Sequence, residues 1–195
     1  MAREVKRRVS VVMNKYEGYA LITGSSSGLG LEYAKQLAAE GYDLVLVARD
    51  KSRLAKAVAD IKKDYSVDVI SISQDLSKPE STDVIFTTLQ KKKIHVGLLF
   101  NNAGFTTFAD FHETPRDKTL GMINLMCSSL TDLTYKFLPP MFEKGSGGIV
   151  FVASIAAFFP GPLIAVYDAA KAFALQLGIN LHAEYAHKGI DVLAV

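Results

Sequence analysis

The 195-residue sequence predicts a doubly wound α/β fold, in which a mostly parallel sheet of six strands carries helices on both faces. Short continuous apolar runs alternate six times with segments of helical periodicity, and such runs are typical of parallel strands covered on both faces. Helical crossovers between successive strands require parallel pairing, and right-handed crossovers make the sheet doubly wound. The predicted strands cover residues 19–22, 42–48, 67–73, 96–100, 149–153 and 190–195.

The first predicted strand is followed at once by Gly24, Gly28 and Gly30, and then by apolar residues at helical spacing over 31–38. Glycine lets a backbone approach a pyrophosphate closely, and a helix N-terminus offers it unpaired N–H groups and a partial positive charge. Strand, glycine turn and helix form the context that a dinucleotide-binding fingerprint requires. The alternative is an ordinary glycine-rich turn between a strand and a helix.

The predicted helices cover residues 31–38, 52–65, 77–93, 115–137 and 165–187. Gly41 marks the end of the first helix, and Pro79 lies in the first turn of the third. Pro139 and Pro140 are expected to disrupt the fourth, because an interior proline removes a backbone donor. The glycine-rich residues 145–148 are predicted to form a loop before the fifth strand.

The composition is that of one globular domain over residues 1–195, with 49% apolar residues, 22% charged residues and a formal net charge of +2. That charge balance argues neither for nor against a nucleic-acid partner, and none is expected. Cys127 is the only cysteine, which excludes an internal disulfide and a cysteine-rich metal site. No metal is expected, and the cysteine content fits a reducing compartment, so we expect a cytoplasmic protein.

Residues 1–16 form a basic flank that contains Arg3, Lys6, Arg7 and Arg8. It is either a solvated flank or a segment with weak attraction to anionic lipid. The apolar run behind these residues, at 9–13, is too short for a signal sequence or a membrane span. No transmembrane segment is therefore expected.

Polar and glycine residues follow the carboxyl ends of the predicted strands, where doubly wound sheets bind their ligands. The glycine turn, Arg49, Asp75, residues 101–104 and Ser154 all fall there. They are therefore expected along one rim of the sheet.

Tyr167 and Lys171 are four residues apart on a predicted helix and so share one face. An ammonium near a phenol favours the phenolate, so such a pair can donate a proton to a carbonyl oxygen or take one from an alcohol. Ser154 could bind the same oxygen. Alone, the Tyr–Lys spacing is common on helix surfaces; with the glycine turn and Ser154 it indicates a catalytic pair.

Five motifs follow one another along the chain: Thr-Gly-Ser-Ser-Ser-Gly-Leu-Gly at 23–30, Asn-Asn-Ala-Gly at 101–104, Asn124, Ser154 and Tyr167-x-x-x-Lys171. In these motifs the sequence resembles the short-chain dehydrogenase/reductase family, from Tyr19 onward. The resemblance implies a Rossmann-like fold, with Tyr167 as general acid in carbonyl reduction and Ser154 polarising the carbonyl. It implies that Lys171 binds the nicotinamide ribose. Asn124 would hold a water that links Lys171 to solvent, or is a helix asparagine satisfied by the backbone.

The cofactor-binding residues that the resemblance implies are Gly24, Ser26, Ser27, Gly28, Leu29, Gly30, Arg49, Asp75, Leu76, Asn101, Ala103, Gly104, Tyr167 and Lys171. Asp75 would bind the adenine amino group, while Asn101 and Ala103 would line the adenosine half or brace the sheet. An arginine after the second strand accommodates a 2′-phosphate, whereas an acidic residue there binds the ribose 2′-hydroxyl. Arg49 therefore favours NADP(H) over NAD(H), although Asp50 follows it.

Two features depart from the family pattern. Asp168 stands where the family usually has a small residue, and its carboxylate is expected to point outward. Family members continue past the sixth strand with a segment that closes over the nicotinamide and the substrate, whereas this sequence ends at Val195. We therefore expect an exposed edge strand, a pocket that lacks one wall, and a chain that is a fragment, an ordered part or a truncated product.

The sequence thus predicts an NADP(H)-dependent oxidoreductase that interconverts a ketone and a secondary alcohol, with Tyr167 supplying the proton. The alternative is a non-catalytic nucleotide-binding or partner-binding member of the fold, or an inactive fragment. Six residues near the rim line a pocket for an apolar substrate or belong to the core: Phe105, Phe108, Phe111, Phe158, Phe159 and Leu163. Residues 41–49 are similar to the steroid and long-chain acyl ketone reductases, and family pairing implies a homodimer through the long helix and the Tyr167 helix.

Overall fold

The computed structural model describes residues 16–195, so the predicted basic flank and the apolar run at 9–13 lie outside the described residues apart from Tyr16. The strands are β1 (Tyr19–Thr23), β2 (Leu44–Ala48), β3 (Val69–Ser73), β4 (Val96–Asn101), β5 (Gly147–Phe151) and β6 (Ile190–Ala194). The helices are α1 (Gly28–Ala39), α2 (Lys51–Asp64), α3 (Ser81–Lys91), α4 (Arg116–Ile123), α5 (Ser129–Lys144) and α6 (Ala165–Tyr185). Within this part of the chain, no helix combines the length and apolarity that crossing a bilayer requires.

The strands form one six-stranded sheet in the order β3-β2-β1-β4-β5-β6, and every neighbouring pair is parallel. Helices α1 and α2 pack on one face through buried residues such as Leu37 and Ile61. Helices α3, α5 and α6 cover the other face through residues such as Ile85, Phe137 and Ala174. The predicted doubly wound α/β fold is therefore confirmed. Its strand order reverses between β1 and β4, which places a ligand crevice at their carboxyl ends.

Pro139 and Pro140 do not disrupt the fourth helical segment as predicted, because both lie inside α5, which continues to Lys144. Phe137 and Met141, on either side of the proline pair, are buried against the sheet. Burial of two such side chains contributes about 1.5–3 kcal/mol each, which is of the same order as the cost of about 3 kcal/mol for an interior proline. The helix ends instead at Gly145, which adopts the left-handed conformation that favours glycine.

The glycine-rich residues 145–148 are not all loop, because β5 already begins at Gly147. A Cβ atom on Gly147 would lie 2.6 Å from the Met141 side chain, and one on Gly148 would lie 2.6 Å from Leu98. The two strand glycines therefore reflect close packing of α5 and β4 on β5 rather than a turn.

Candidate active site

The glycine turn joins the end of β1 to the start of α1 at the reversal of strand order. Gly24 and Gly28 have positive φ angles of 68° and 55°, which glycine adopts without strain. A Cβ atom on Gly30 would lie 2.4 Å from the Gly24 carbonyl oxygen, so only glycine fits there. A Cβ on Gly28 would contact nothing within 4 Å, which leaves the backbone at the N-terminus of α1 accessible to a ligand.

Thr23 fixes this turn to the segment that follows β4. Its Oγ1 accepts hydrogen bonds of 3.0 Å from the backbone N–H groups of Asn102 and Ala103, and it donates to the Phe100 carbonyl at 3.2 Å. The Asn102 side chain donates to the Thr23 carbonyl at 2.8 Å. Thr23 and Asn102 therefore set the separation of the two strand ends that form the crevice. Both residues lie within the sequence motifs, but the motifs alone did not indicate this bracing role.

Two connected cavities follow the carboxyl ends of the strands. The Tyr167 cavity, of about 650 Å³, is lined by Gly24, Ser27, Gly28, Leu29, Gly30, Tyr33, Asn102, Ala103, Gly104, Val152, Ala153, Ser154, Ile155, Tyr167, Lys171 and Val195. The Arg49 cavity, of about 350 Å³, is lined by Gly24, Ser26, Ser27, Val47, Ala48, Arg49, Asp50, Arg53, Gln74, Asp75, Leu76, Ser77, Ala103, Gly104, Phe105 and Leu125. Every residue predicted to bind the cofactor lines one of them, except Asn101.

Asn101 is buried beneath the cleft rather than lining it. Its side-chain amide donates to Thr134 Oγ1 at 3.1 Å, which connects β4 to α5. It also lines a cavity of about 10 Å³ beside Lys171. Of the two roles that the resemblance implied for Asn101, bracing of the sheet therefore agrees with the structure.

The structure brings Ser154, Tyr167 and Lys171 together on the wall of the Tyr167 cavity. Ser154 follows β5, and its Oγ accepts a hydrogen bond of 3.1 Å from the backbone N–H of Ala156. This bond orients the hydroxyl group and leaves its proton for donation to a ligand. The three residues therefore line one cavity beside the glycine turn.

Lys171 is held by α6 beneath the phenol. Only 6% of it is exposed, and its Nζ donates to the Val152 carbonyl at 2.6 Å. The same Nζ lies 5.6 Å from the centroid of the Tyr167 ring. Burial lowers the pKa of the Lys171 ammonium from its ordinary value of 10.5. A cation at this position favours negative charge on the neighbouring phenol oxygen.

Asn124 begins a π-helical turn, Asn124–Ser128, between α4 and α5. Its side-chain amide donates to the Ser77 main-chain carbonyl at 3.4 Å. This bond agrees with the alternative interpretation, in which a backbone carbonyl satisfies the hydrogen-bonding need of the asparagine side chain. The water-holding role that the resemblance implied stays a prediction.

Both Arg49 and Arg53 line the Arg49 cavity, whereas the sequence motifs pointed to Arg49 alone. Asp50, the residue that left the cofactor preference in doubt, caps α2 by accepting a 2.9 Å bond from the Arg53 N–H. The Asp50 carboxylate also lies 3.4 Å from Arg53 Nε. The Asp50 carboxylate is thus bound to the first turn of α2. Arg53 is a second cationic residue at this cavity, which the sequence motifs did not indicate. Its position four residues after Arg49, in the first turn of the following helix, was the available indication.

Asp75 and Leu76 line the same cavity. The Asp75 Oδ1 accepts bonds of 3.0 Å and 2.8 Å from the backbone N–H and hydroxyl of Ser77. These bonds fix the orientation of the carboxylate after β3. Leu76 is buried and contributes apolar surface to the cavity.

A third cavity, the Leu163 cavity, has a volume of about 290 Å³ and is lined on one side by Tyr167. Phe111, Met122 and Leu163 contribute apolar lining, and Thr114 and Thr119 contribute hydroxyl groups. Phe108 is 75% exposed and Phe158 is 67% exposed, and Phe111, Phe159 and Leu163 are also exposed. These five residues are therefore not core residues, whereas half-buried Phe105 lines the Arg49 cavity.

The expectation that Asp168 points outward is wrong. Its carboxylate accepts a bond of 2.7 Å from the backbone N–H of Gly161, in the loop before α6. The acceptor lies in the first turn of α6, where a helix stabilises negative charge, and the loop folds back over it.

The described site can therefore bind an elongated anionic ligand along the glycine turn and exchange a proton through Tyr167. Among residues 16–195, no cluster of three or more His, Cys, Asp or Glu side chains is placed to hold a metal ion. The titratable and hydrogen-bonding groups that line the Tyr167 cavity and could exchange a proton include the Tyr167 phenol, the Lys171 ammonium and the Ser154 hydroxyl group.

A model of the short chain dehydrogenase family matches residues 18–195. Among named relatives, the very-long-chain 3-oxoacyl-CoA reductase of Anas platyrhynchos is 36% identical over 182 residues, which cover 91% of this chain and 58% of the relative. Hydroxysteroid dehydrogenase-like protein 1 of Gallus gallus is 35% identical over 184 residues, or 93% of this chain and 55% of the relative. The chain thus spans somewhat more than half the length of these relatives.

Solved structures share the fold of this chain. The bulky-bulky ketone specific alcohol dehydrogenase from Comamonas testosteroni superposes with a TM-score of 0.85 at 33% identity, covering 91% of this chain and 72% of that one. A short-chain dehydrogenase from Sphingobium yanoikuyae in complex with NADPH gives a TM-score of 0.85 at 36% identity, covering 91% and 69%.

Proposed function

This chain belongs to the short-chain dehydrogenase/reductase family, and from that premise we propose that it interconverts a ketone and a secondary alcohol with NADP(H). The observation that carries the proposal is the convergence of Ser154, Tyr167 and Lys171 on the cavity that also contains the glycine turn. A proton donor and a dinucleotide-binding backbone then face one space.

The residues of the glycine turn fit a dinucleotide. Gly30 and Gly24 pack too closely for side chains, while the space beside Gly28 is open and adjoins the N-terminus of α1. Backbone N–H groups at such a terminus bind a pyrophosphate. When bound, a nicotinamide cofactor would supply the hydride of the reaction.

The side chains of the chain would perform the proton chemistry. Ser154, oriented by Ala156, would donate a hydrogen bond to the carbonyl oxygen of the substrate. Tyr167 would donate its phenolic proton to that oxygen in the reductive direction. Lys171 would stabilise the phenolate that this transfer leaves, because its Nζ lies 5.6 Å from the ring centroid.

We propose NADP(H) as the preferred cofactor because Arg49 and Arg53 both line the Arg49 cavity. An arginine guanidinium pairs with a phosphate through two parallel hydrogen bonds. Asp50, the residue that could have bound a ribose hydroxyl, is occupied by the α2 cap. Solved relatives in complex with NADPH support this proposal.

We propose a ketone with a bulky apolar substituent as the substrate. The Leu163 cavity adjoins Tyr167, and most of its lining is apolar. The relatives named as a bulky-bulky ketone specific alcohol dehydrogenase and as very-long-chain 3-oxoacyl-CoA reductases support this substrate class.

The proposal is tested by NADPH oxidation with a panel of apolar ketones. Tyr167→Phe should lower kcat by about 10²–10⁴-fold, the usual contribution of a general acid. Tyr65→Phe, at a half-buried tyrosine that follows α2 on the other face of the sheet, is the matched control and should leave kcat unchanged. Tight NADPH binding with no turnover by the wild-type protein would refute the enzyme and support the non-catalytic alternative.

We propose a homodimer through α5 and α6. The exposed apolar side chains Tyr135, Phe142, Phe173 and Ile179 on these helices support it. A monomeric mass in solution at micromolar concentration would contradict it. The cytoplasmic location stays a prediction from the sequence.

A further inference from the structure

Asp168 follows Tyr167 in the first turn of α6 and contacts the loop that precedes the helix, residues 158–164. Its Oδ2 accepts a bond of 2.7 Å from the Gly161 N–H. Its own backbone N–H donates to the Ile164 carbonyl at 3.1 Å. The second bond is the first helical bond of α6, so the side-chain bond to Gly161 is the one that ties Asp168 to the loop.

Gly161 and the Asp168 carboxylate fit each other closely. A Cβ atom on Gly161 would lie 2.5 Å from the Asp168 Oδ2, so a larger residue would displace the carboxylate. The second carboxylate oxygen, Oδ1, is enclosed and has no hydrogen-bond partner among the described residues. The carboxylate is thus built into the loop rather than exposed to solvent.

The loop is also held on its other side. Leu163 has a φ angle of 71°, a left-handed conformation that persists in a leucine only where surrounding contacts impose it. Its carbonyl accepts a bond of 3.1 Å from the backbone N–H of Ala109, on the facing segment. The loop is therefore fixed between Asp168 and Ala109.

This loop forms one wall of the Leu163 cavity through Pro162, Leu163 and Ile164, and Tyr167 lies at the same cavity. Asp168 itself does not line the cavity. We infer that Asp168 is a positioning residue that fixes this wall and thereby determines which apolar ketones reach Tyr167. The inference rests on the proposed function, which supplies the ketone and the role of Tyr167.

The kinetic test compares Asp168→Ala with the wild-type protein, using a bulky aromatic ketone and a small aliphatic ketone. Loss of a hydrogen bond to a charged group should raise KM for the bulky ketone by about tenfold or more. The kcat value and the affinity for NADPH should change by less than about twofold, since neither Ser154 nor the glycine turn is touched. The KM for the small ketone should change least, because it makes fewer contacts with the wall.

Two further variants separate positioning from general damage. Asp168→Asn keeps an oxygen that can accept the Gly161 N–H bond, so it should restore most of the wild-type KM. Glu184→Gln changes an exposed carboxylate on the same helix and should have no effect. If Asp168→Ala does not fold, Asp168→Ser takes its place with the same measurements.

Hydrogen exchange provides a second measurement that needs no turnover. Backbone amides of residues 158–164 should exchange faster in Asp168→Ala and at nearly wild-type rates in Asp168→Asn. Unchanged exchange in Asp168→Ala, or a fall in kcat with KM unchanged, would overturn the inference. A wild-type protein that reduces no ketone would refute the proposed function, whereas the exchange rates would still decide whether Asp168 holds the wall.

Discussion

Replacing Lys171 by methionine should abolish catalysis without destabilising the protein. The ammonium is almost fully buried, and its hydrogen bond to the Val152 carbonyl is its one described bond. That bond contributes about 1.5–3 kcal/mol, whereas removing an ammonium from water costs several kcal/mol. Lys171→Met should therefore have a free energy of unfolding at pH 7 that is equal to the wild-type value or up to about 2 kcal/mol higher.

The pH dependence of this difference has a definite sign. Burial lowers the pKa of Lys171 below 10.5, so between that lowered value and 10.5 the unfolded chain binds more protons than the folded chain. The wild-type protein should therefore gain stability relative to Lys171→Met as the pH rises toward 10.5, the ordinary lysine value. Below the lowered pKa the difference should be constant.

Urea unfolding of both proteins over this pH range measures the effect, with Lys92→Met, at an exposed lysine, as the control. NADPH oxidation should be lost in Lys171→Met and retained in Lys92→Met. A Lys171→Met protein measurably less stable than wild type at pH 7 would refute the reasoning, since the charge would then stabilise the fold. A free energy of unfolding of the wild-type protein that falls relative to that of Lys171→Met as the pH rises would refute it as well.

Two further predictions concern the cofactor cleft. Gly30→Ala should raise the Kd for NADPH by about tenfold or more, because the new Cβ would lie 2.4 Å from the Gly24 carbonyl oxygen and would displace the turn. Fluorescence titration measures the Kd, and an unchanged value would contradict the prediction. Arg49→Asp should shift preference toward NADH, and Arg53→Ala should weaken NADPH binding about tenfold while sparing NADH. Steady-state kinetics with each cofactor tests both variants, and equal use of the two cofactors by the unmutated protein would contradict the assignment.

The inner part of the sheet was predictable because β1, β2, β4 and β5 are mostly apolar runs that are almost entirely buried, whereas the edge strands β3 and β6 are only partly buried. Residues 44–48, for example, are all buried in β2, and the polar residues after the strands punctuate their carboxyl ends. Local sequence failed where packing decided the outcome. Pro139 and Pro140 remain helical because their neighbours fill the core. Gly147 lies in a strand because it pairs with Ile190 of β6, and Met141 leaves no room for a side chain there.

The site was predictable where a short motif fixes the geometry. Ser154, Tyr167 and Lys171 line one cavity, because β5 and α6 place them at one rim of the sheet. Contacts between distant segments could not be derived in the same way. The bond from Gly161 to Asp168 depends on how the loop folds back, and the burial of Asn101 depends on the position of Thr134 on α5.

The origin of the hydrogen on the carbinol carbon of the product, compared between wild type and Tyr167→Phe, tests the central claim most directly. The protein should be supplied with NADPH deuterated at C4 of the nicotinamide, each face in turn, and with a bulky ketone, and the alcohol analysed by mass spectrometry. We predict one deuterium on the carbinol carbon from one of the two labelled cofactors, and formation of labelled alcohol at least about 10²-fold slower by Tyr167→Phe. Alcohol that carries no label with either labelled cofactor, or that Tyr167→Phe forms at the wild-type rate, would contradict the account.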